Sequence, residues 1–193
     1  KYVKRGFNLE EDTLIRMTIV RLAPDDYRMI MTSQNTAIMG AMPEEIDPII
    51  YKVDDVQTNV YGDNKYYEGS YHGQDVVVAY SKIGKVFATL TATTLIEKFG
   101  CDMLLFSGVA GAISDELKIG DLIIANGLCQ HDLDITAFGH PFGYVPEGNI
   151  CLSTDAVLRD IAKDVAKQKG LTVKEGIIAT GDQFIADNER KEW

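Results

Sequence analysis

The sequence is short of the residues that build metal sites, disulfide frameworks and nucleic-acid surfaces. Its 193 residues include only three Cys, three His and one Trp. Cys101, Cys129 and Cys151 lie far apart along the chain and form no Cys-x-x-Cys pair. That usage fits reduced thiols in a cytoplasmic protein, and neither a zinc site nor a disulfide framework. Lys and Arg number 19 against 29 Asp and Glu, for a formal net charge of -10. Such a balance argues against a nucleic-acid backbone as partner. No apolar run approaches the ~20 residues that span a bilayer, and no secretory leader is expected at the N-terminus. Gly-x-Gly-x-x-Gly, Walker-type Gly-Lys-Ser/Thr and Gly-x-Ser-x-Gly are all absent. Dinucleotide, triphosphate and serine-hydrolase chemistries lose their usual signatures with them.

What is present is an ordinary globular composition, 46% hydrophobic and 25% charged, in a chain long enough for one domain with a sizeable core. Residues 1–35 stand apart as an N-terminal extension of unassigned role. Within them, residues 9–22 are read either as a short amphipathic helix or as an irregular tail. From Thr36 the pattern sharpens, and residues 36–193 read as one domain. Thr36 to Ala41 is expected as a buried strand left at Gly40. Pro43 then opens a helix with Glu44 and Glu45 at its positive end. Tyr66–Tyr71 and Asp75–Ser81 form a hairpin about His72-Gly73. Residues Gly84 to Phe99 have helical spacing and stop at Gly100.

Met103 to Ile113 carries the central signal: an apolar run followed by Gly108 and Gly111. The run predicts a strand buried on both faces in the middle of a mostly parallel sheet. The two glycines would let a flat ligand approach the backbone where the chain leaves that strand. Leu117 to Asn126 holds a further strand, and Gly127 to Leu133 continues it or starts another. Residues 137–149, rich in Gly, Pro and aromatics, suggest a functional loop. A helix from Asp155 to Lys169, capped by Thr154, and a strand from Val173 to Thr180 follow. Asp187 to Trp193 begins a charged helical turn. Strands alternating with helices make an α/β protein with a mixed sheet.

From residue type alone, Glu45 is either a general base at a strand end or a helix-N-terminal carboxylate, and the second is the commoner use. Phe184 is either a platform for a flat heterocycle or a core aromatic. Asp182 either bonds a ligand or satisfies loop amides. His131, Asp132 and Asp134 form a polar cluster without metal-ligand spacing, read as structural or as interface partners, and no metal is expected.

Five stretches in order carry a family likeness. They are Ile38-Met-Gly-Ala-Met-Pro-Glu-Glu-Ile46, Ser81-Lys-Ile-Gly-Lys-Val86, Phe106-Ser-Gly-Val-Ala-Gly111, His131-Asp-Leu-Asp-Ile-Thr-Ala-Phe-Gly139 and Thr180-Gly-Asp-Gln-Phe-Ile185. Together they resemble the bacterial 5'-methylthioadenosine/S-adenosylhomocysteine nucleosidases of the nucleoside phosphorylase superfamily. The resemblance is nearest to the branch that also hydrolyses 6-amino-6-deoxyfutalosine in menaquinone synthesis. It implies a three-layer α/β/α sandwich with a central mixed sheet, assembled as a homodimer, that releases adenine without metal or organic cofactor. It also implies roles. Glu45 activates water, Phe184 stacks on adenine, and Ile185 reads the purine edge through its backbone. Gly111 lies in the purine or ribose pocket, Met42 lines the ribose, and Ile135, Phe138 and Pro146 form the 5'-alkylthio pocket. Val109 stands near the water where many members have Ser, and the aminodeoxyfutalosine branch shares the Val.

The family's ribose-binding Met-Glu pair and the Asp that protonates purine N7 are expected beyond Trp193, so the domain reads as truncated, with an exposed apolar edge. Two other readings stand beside the hydrolase. One is an inactive purine-nucleoside-binding or dimerisation module. The other is a phosphorylase, disfavoured because Phe106 occupies the position of a phosphate-holding Arg.

Overall fold

A computed structural model describes residues 15–23, 26–33 and 35–185. The chain divides into two compact units, Lys1–Gly108 and Val109–Trp193.

The first unit opens with an antiparallel pair, β1 (Ile15–Ala23) and β2 (Asp26–Ser33), in which Thr18 lies opposite Ile30 and Val20 opposite Arg28. The helix-or-tail expectation is therefore wrong over residues 15–22, and its first residues, 9–14, lie outside the described residues. Ile15, Thr18, Ile19 and Val20 are β-branched, and Pro24 breaks the run ahead of Asp25-Asp26. That is strand-and-turn chemistry, which outweighs weak helical periodicity.

A five-stranded mixed sheet follows, in the order β4 (Asp54–Tyr61), β5 (Asn64–Tyr71), β6 (Gln74–Tyr80), β3 (Asn35–Gly40) and β7 (Cys101–Phe106). β3 runs parallel to both β6 and β7, whereas β4, β5 and β6 form antiparallel hairpins. His72 and Gly73 both have positive φ at the β5–β6 turn, 51° and 78°, the backbone that a tight two-residue hairpin requires. The expected hairpin is thus present. The strand β4 was not anticipated.

Side chains alternate across this sheet and build two cores. Ala37, Met39, Val77 and Ala79 face helix α2 (Lys85–Glu97), which contributes buried Leu95 with Ala88 and Ala92. Ile38, Val76 and Val78 face the other way, onto Ile46, Ile49 and Ile50 of α1 (Pro43–Ile50). Odd and even residues of β3 and β6 therefore cover opposite helices, which makes three layers, α/β/α, within this unit. β7 corrects one expectation. It is the outermost strand of the five, and Leu105 and Phe106 are 41% and 58% exposed. An apolar run reports a demand for burial, not the element that will meet it.

In the second unit β8 (Leu122–Gln130) is central, parallel to β10 (Val173–Thr180) and antiparallel to the three-residue β9 (Cys151–Ser153). Helix α3 (Ala156–Gln168) packs on β8. Its N-cap is Asp155, whose carboxylate accepts a hydrogen bond from the Leu158 N–H at 2.9 Å, and not Thr154. The Thr154 hydroxyl donates instead to the Ala125 carbonyl at 2.6 Å, tying the helix entrance to β8. An Asp cap of this kind stabilises by about 1 kcal/mol. The charged turn expected over residues 187–193 lies outside the described residues.

Candidate active site

In the first unit the site grows from the carboxyl end of β3, where ligands of open α/β sheets collect. The segments leaving β6 and β7 close around that end by backbone bonds: the Ser81 N–H donates to the Gly40 carbonyl at 2.8 Å and the Ser107 N–H to the Met39 carbonyl at 2.9 Å. Gly40 is required there, because a Cβ would sit 2.7 Å from the Ser107 carbonyl and 2.8 Å from Ile46 Cγ1. The chain then turns directly into α1, and Pro43 occupies its first turn with no lost hydrogen bond.

Glu45 is the third residue of that helix, and its carboxylate reaches back over the helix start. Oε2 accepts from the Ala41 N–H at 2.8 Å and from the Met42 N–H at 3.1 Å. Met42 is the N-cap of α1, whose amide has no intrahelical partner, and Ala41 lies in the turn just before it. Oε1 lies on the side of Gly108, 2.9 Å from where a Cβ on that glycine would stand. The expectation that Gly108 opens space for a ligand is thereby refined: the space it leaves is filled by the Glu45 carboxylate. Met42 is half-buried beside it.

Gly108→Ala tests this packing. The added Cβ meets only the tip of a flexible side chain, so stability should be nearly unchanged while the carboxylate is displaced. A displacement approaching 1 Å should lower turnover by roughly 10- to 100-fold, measured as initial rate alongside the thermal midpoint.

The second unit supplies a separate group of residues. β8 and β10 are parallel, so the loops leaving Gln130 and Thr180 emerge at the same end. The Asp132 carboxylate accepts from the Asp182 N–H at 2.7 Å, and the His131 N–H donates to the Thr180 carbonyl at 3.0 Å. Gly181 leaves room for the His131 ring, since a Cβ there would overlap its Nε2. Asp134 accepts from both the backbone and the hydroxyl of Thr136, at 2.9 and 2.7 Å. The Thr136 N–H, then its hydroxyl, hold the Asp134 carboxyl below its ordinary pKa. These intrachain bonds give the 131–134 cluster a structural role. Among the described residues no group of three or more His, Cys, Asp or Glu could hold a metal ion.

Phe184 and Ile185 follow Gly181-Asp182, and Phe184 is 92% exposed. It is therefore not packed as a core aromatic among the described residues. Ile135, Phe138 and Pro146 belong to the connection between β8 and β9, where Thr136–Phe138 forms one turn of 3-10 helix. Val109 and Gly111 are exposed at the start of this unit. The structure thus joins Glu45, Met42 and Gly108 in one cluster, and sets the Phe184 and Ile135–Pro146 segments on the carboxyl end of the other sheet. Sequence reasoning missed Ala41 as a functional position, because its contribution is a backbone N–H that carries no side-chain signal.

A recess lined by Asn35, Asp55, Gln57, Glu68 and Asp75 lies at the opposite, amino end of β3 and β6. Its acidic lining and its position separate it from Glu45.

The family model described as the phosphorylase superfamily matches residues 35–193. The chain belongs to that superfamily, in its nucleosidase branch. It is 52% identical over 155 residues to the aminodeoxyfutalosine nucleosidase of Campylobacter jejuni, covering 80% of this chain and 68% of that protein. The 5'-methylthioadenosine/S-adenosylhomocysteine nucleosidase of Actinobacillus succinogenes is 36% identical over 153 residues, 79% of this chain and 66% of that one. A Helicobacter pylori nucleosidase structure with 5'-methylthioadenosine in its active site aligns with a TM-score of 0.79 at 47% identity, over 83% of this chain and 70% of that one. The α/β class with a mixed sheet expected from the sequence is the one observed.

Proposed function

We propose that the protein hydrolyses the N-glycosidic bond of adenine nucleosides, with 5'-methylthioadenosine, S-adenosylhomocysteine and 6-amino-6-deoxyfutalosine as its substrate class. One observation carries the reading: a single carboxylate, Glu45, is clamped by two backbone N–H groups at the carboxyl end of β3. The names of the relatives point to the same chemistry.

The geometry suits that reaction. Cleavage builds positive, oxocarbenium-like charge on the ribose, which a fixed carboxylate stabilises without reorganising. As the water oxygen bonds to the anomeric carbon, Glu45 takes a proton from it and the bonding pair of the C–N bond leaves with the purine. The two amides orient the carboxylate through Oε2. The family likeness assigns the sugar to Met42, the adenine face to Phe184 and its edge to Ile185. It assigns the purine or ribose to Gly111, the neighbourhood of the water to Val109, and the 5' substituent to Ile135, Phe138 and Pro146. Phe106, exposed at the end of β7, offers no charge to a phosphate nucleophile.

Ile83, Val86 and Leu90 leave an apolar stripe exposed beside and along α2, which supports assembly as a homodimer. The thiol usage supports a cytoplasmic enzyme.

The test is adenine release from methylthioadenosine by the purified protein, in phosphate-free buffer and again with added phosphate. Equal rates, with the free thiosugar as co-product in both, are expected. A sugar 1-phosphate would establish the phosphorylase. Tight nucleoside binding without adenine release would establish the inactive binder.

A further inference from the structure

Cys129 and Cys151, read from the sequence as isolated thiols, are direct cross-strand partners on β8 and β9. Opposite residues of an antiparallel pair project from the same face, with Cα atoms about 4.5 or 5.5 Å apart depending on the hydrogen-bonding phase. Both separations fall within the Cα window of about 4.4–6.8 Å that a disulfide accepts. Cys151 is exposed and Cys129 half-buried, whereas Cys101 is buried in the first unit. β9 is an edge strand of only three residues, so it can move the short distance that closure requires.

We propose that Cys129 and Cys151 form a reversible oxidation site, a cross-strand disulfide that staples the base of the 131–150 loop. Glutathione disulfide, or a like small disulfide, is the oxidant. The exposed Cys151 thiolate attacks it, one glutathione thiolate leaves, and a mixed disulfide forms on Cys151. Cys129 then attacks the Cys151 sulfur and expels the second glutathione. Two protein thiols are oxidised, and one disulfide is reduced to two thiols. The order follows from exposure. It also follows from the Cys129 thiol being pushed above its ordinary pKa, chiefly by burial and then by Cys151. At neutral pH that makes Cys129 the poorer first nucleophile.

The stapled loop carries Ile135, Phe138 and Pro146. On the nucleosidase reading these residues surround the 5' substituent and not the reacting bond. Closing the staple should therefore raise KM several-fold and leave kcat within about twofold. That consequence rests on the proposed function, but the disulfide does not.

The experiment incubates the native protein in glutathione buffers of rising oxidised fraction, traps free thiols with N-ethylmaleimide, and digests it. No Lys or Arg lies between Lys118 and Arg159, so trypsin leaves both cysteines on one peptide, residues 119–159. The expected result is that peptide unalkylated and lighter by two hydrogens, with Cys101 never linked to either residue. Chymotrypsin, cutting after Phe138, Phe142 or Tyr144, should then yield two disulfide-linked fragments. Cys129→Ser should stop at the mixed disulfide on Cys151. Alkylation of both thiols in fully oxidised buffer would overturn the proposal, and so would a dimer linked through Cys151. An unchanged KM in the mapped disulfide form would overturn its effect on the loop. Adenine release absent in both redox states would refute the nucleosidase reading and leave the peptide map standing.

Discussion

Glu45→Gln should yield a folded protein that releases adenine about 10²–10⁴ times more slowly, the range that removal of a general base commonly produces. The substitution separates the two uses of this residue. A glutamine is nearly isosteric, and its amide oxygen can still accept from the Ala41 and Met42 N–H groups, so the helix start stays satisfied. It cannot accept the proton of the attacking water. If Glu45 only caps the helix, Glu45→Gln keeps both rate and stability, and Glu45→Ala loses stability by about 0.5–2 kcal/mol. If Glu45 is the base, Glu45→Gln loses the rate and keeps the urea midpoint. Initial rates with methylthioadenosine and urea titrations on the same preparations decide the matter. A wild-type rate in Glu45→Gln would leave the residue a cap and nothing more.

The second large effect is on stability. Ile46 is fully buried, packs with Val53, Val76 and Val78, and lies against Gly40. Ile46→Ala should cost about 2–5 kcal/mol, the sum of lost transfer energy and an incompletely collapsed cavity. That is a large share of the roughly 5–15 kcal/mol available to a domain. Because Ile46 follows Glu45 on α1 and seats that helix on the sheet, the folded fraction should also show a lowered kcat. Ile119→Ala serves as the control. Ile119 is wholly exposed, and its truncation should change stability by no more than about 0.5 kcal/mol. Urea denaturation of both variants supplies the measurement, and an Ile46→Ala loss no larger than the control's would refute the packing argument.

The elements that were legible are those whose own residues state their environment. β3, β6 and α1 carry continuous or periodic apolar patterns, and Gly40 and Pro43 mark the turn between strand and helix. The His72-Gly73 turn needs positive φ at both residues, which little else supplies so readily. β4 was missed because its residues are mostly polar and exposed. Gly62 and Asp63, with φ of 55° and 59°, were the available signal that a strand precedes β5. β9 is too short to show a period. The β1–β2 pair was obscured by charges spread evenly through a β-branched run.

The candidate site divides along the same line. Chain order and residue type identified Glu45 as a candidate, because a carboxylate just past a strand-end glycine has few roles to choose between. The family likeness then favoured the catalytic one. They could not show that Gly108, distant in sequence, leaves the space its carboxylate fills, nor that the Ala41 and Met42 amides hold it. They also made three isolated thiols of what is one isolated thiol and one facing pair. The α/β class, the strand-end glycines and the candidate carboxylate came from the sequence by itself, since each is a local matter of periodicity, backbone freedom and charge. The clamp on Glu45, the outer position of β7 and the meeting of Cys129 with Cys151 were decided only by the tertiary structure. Strand order and register bring residues together across the chain, and no local pattern records which strand will lie beside which.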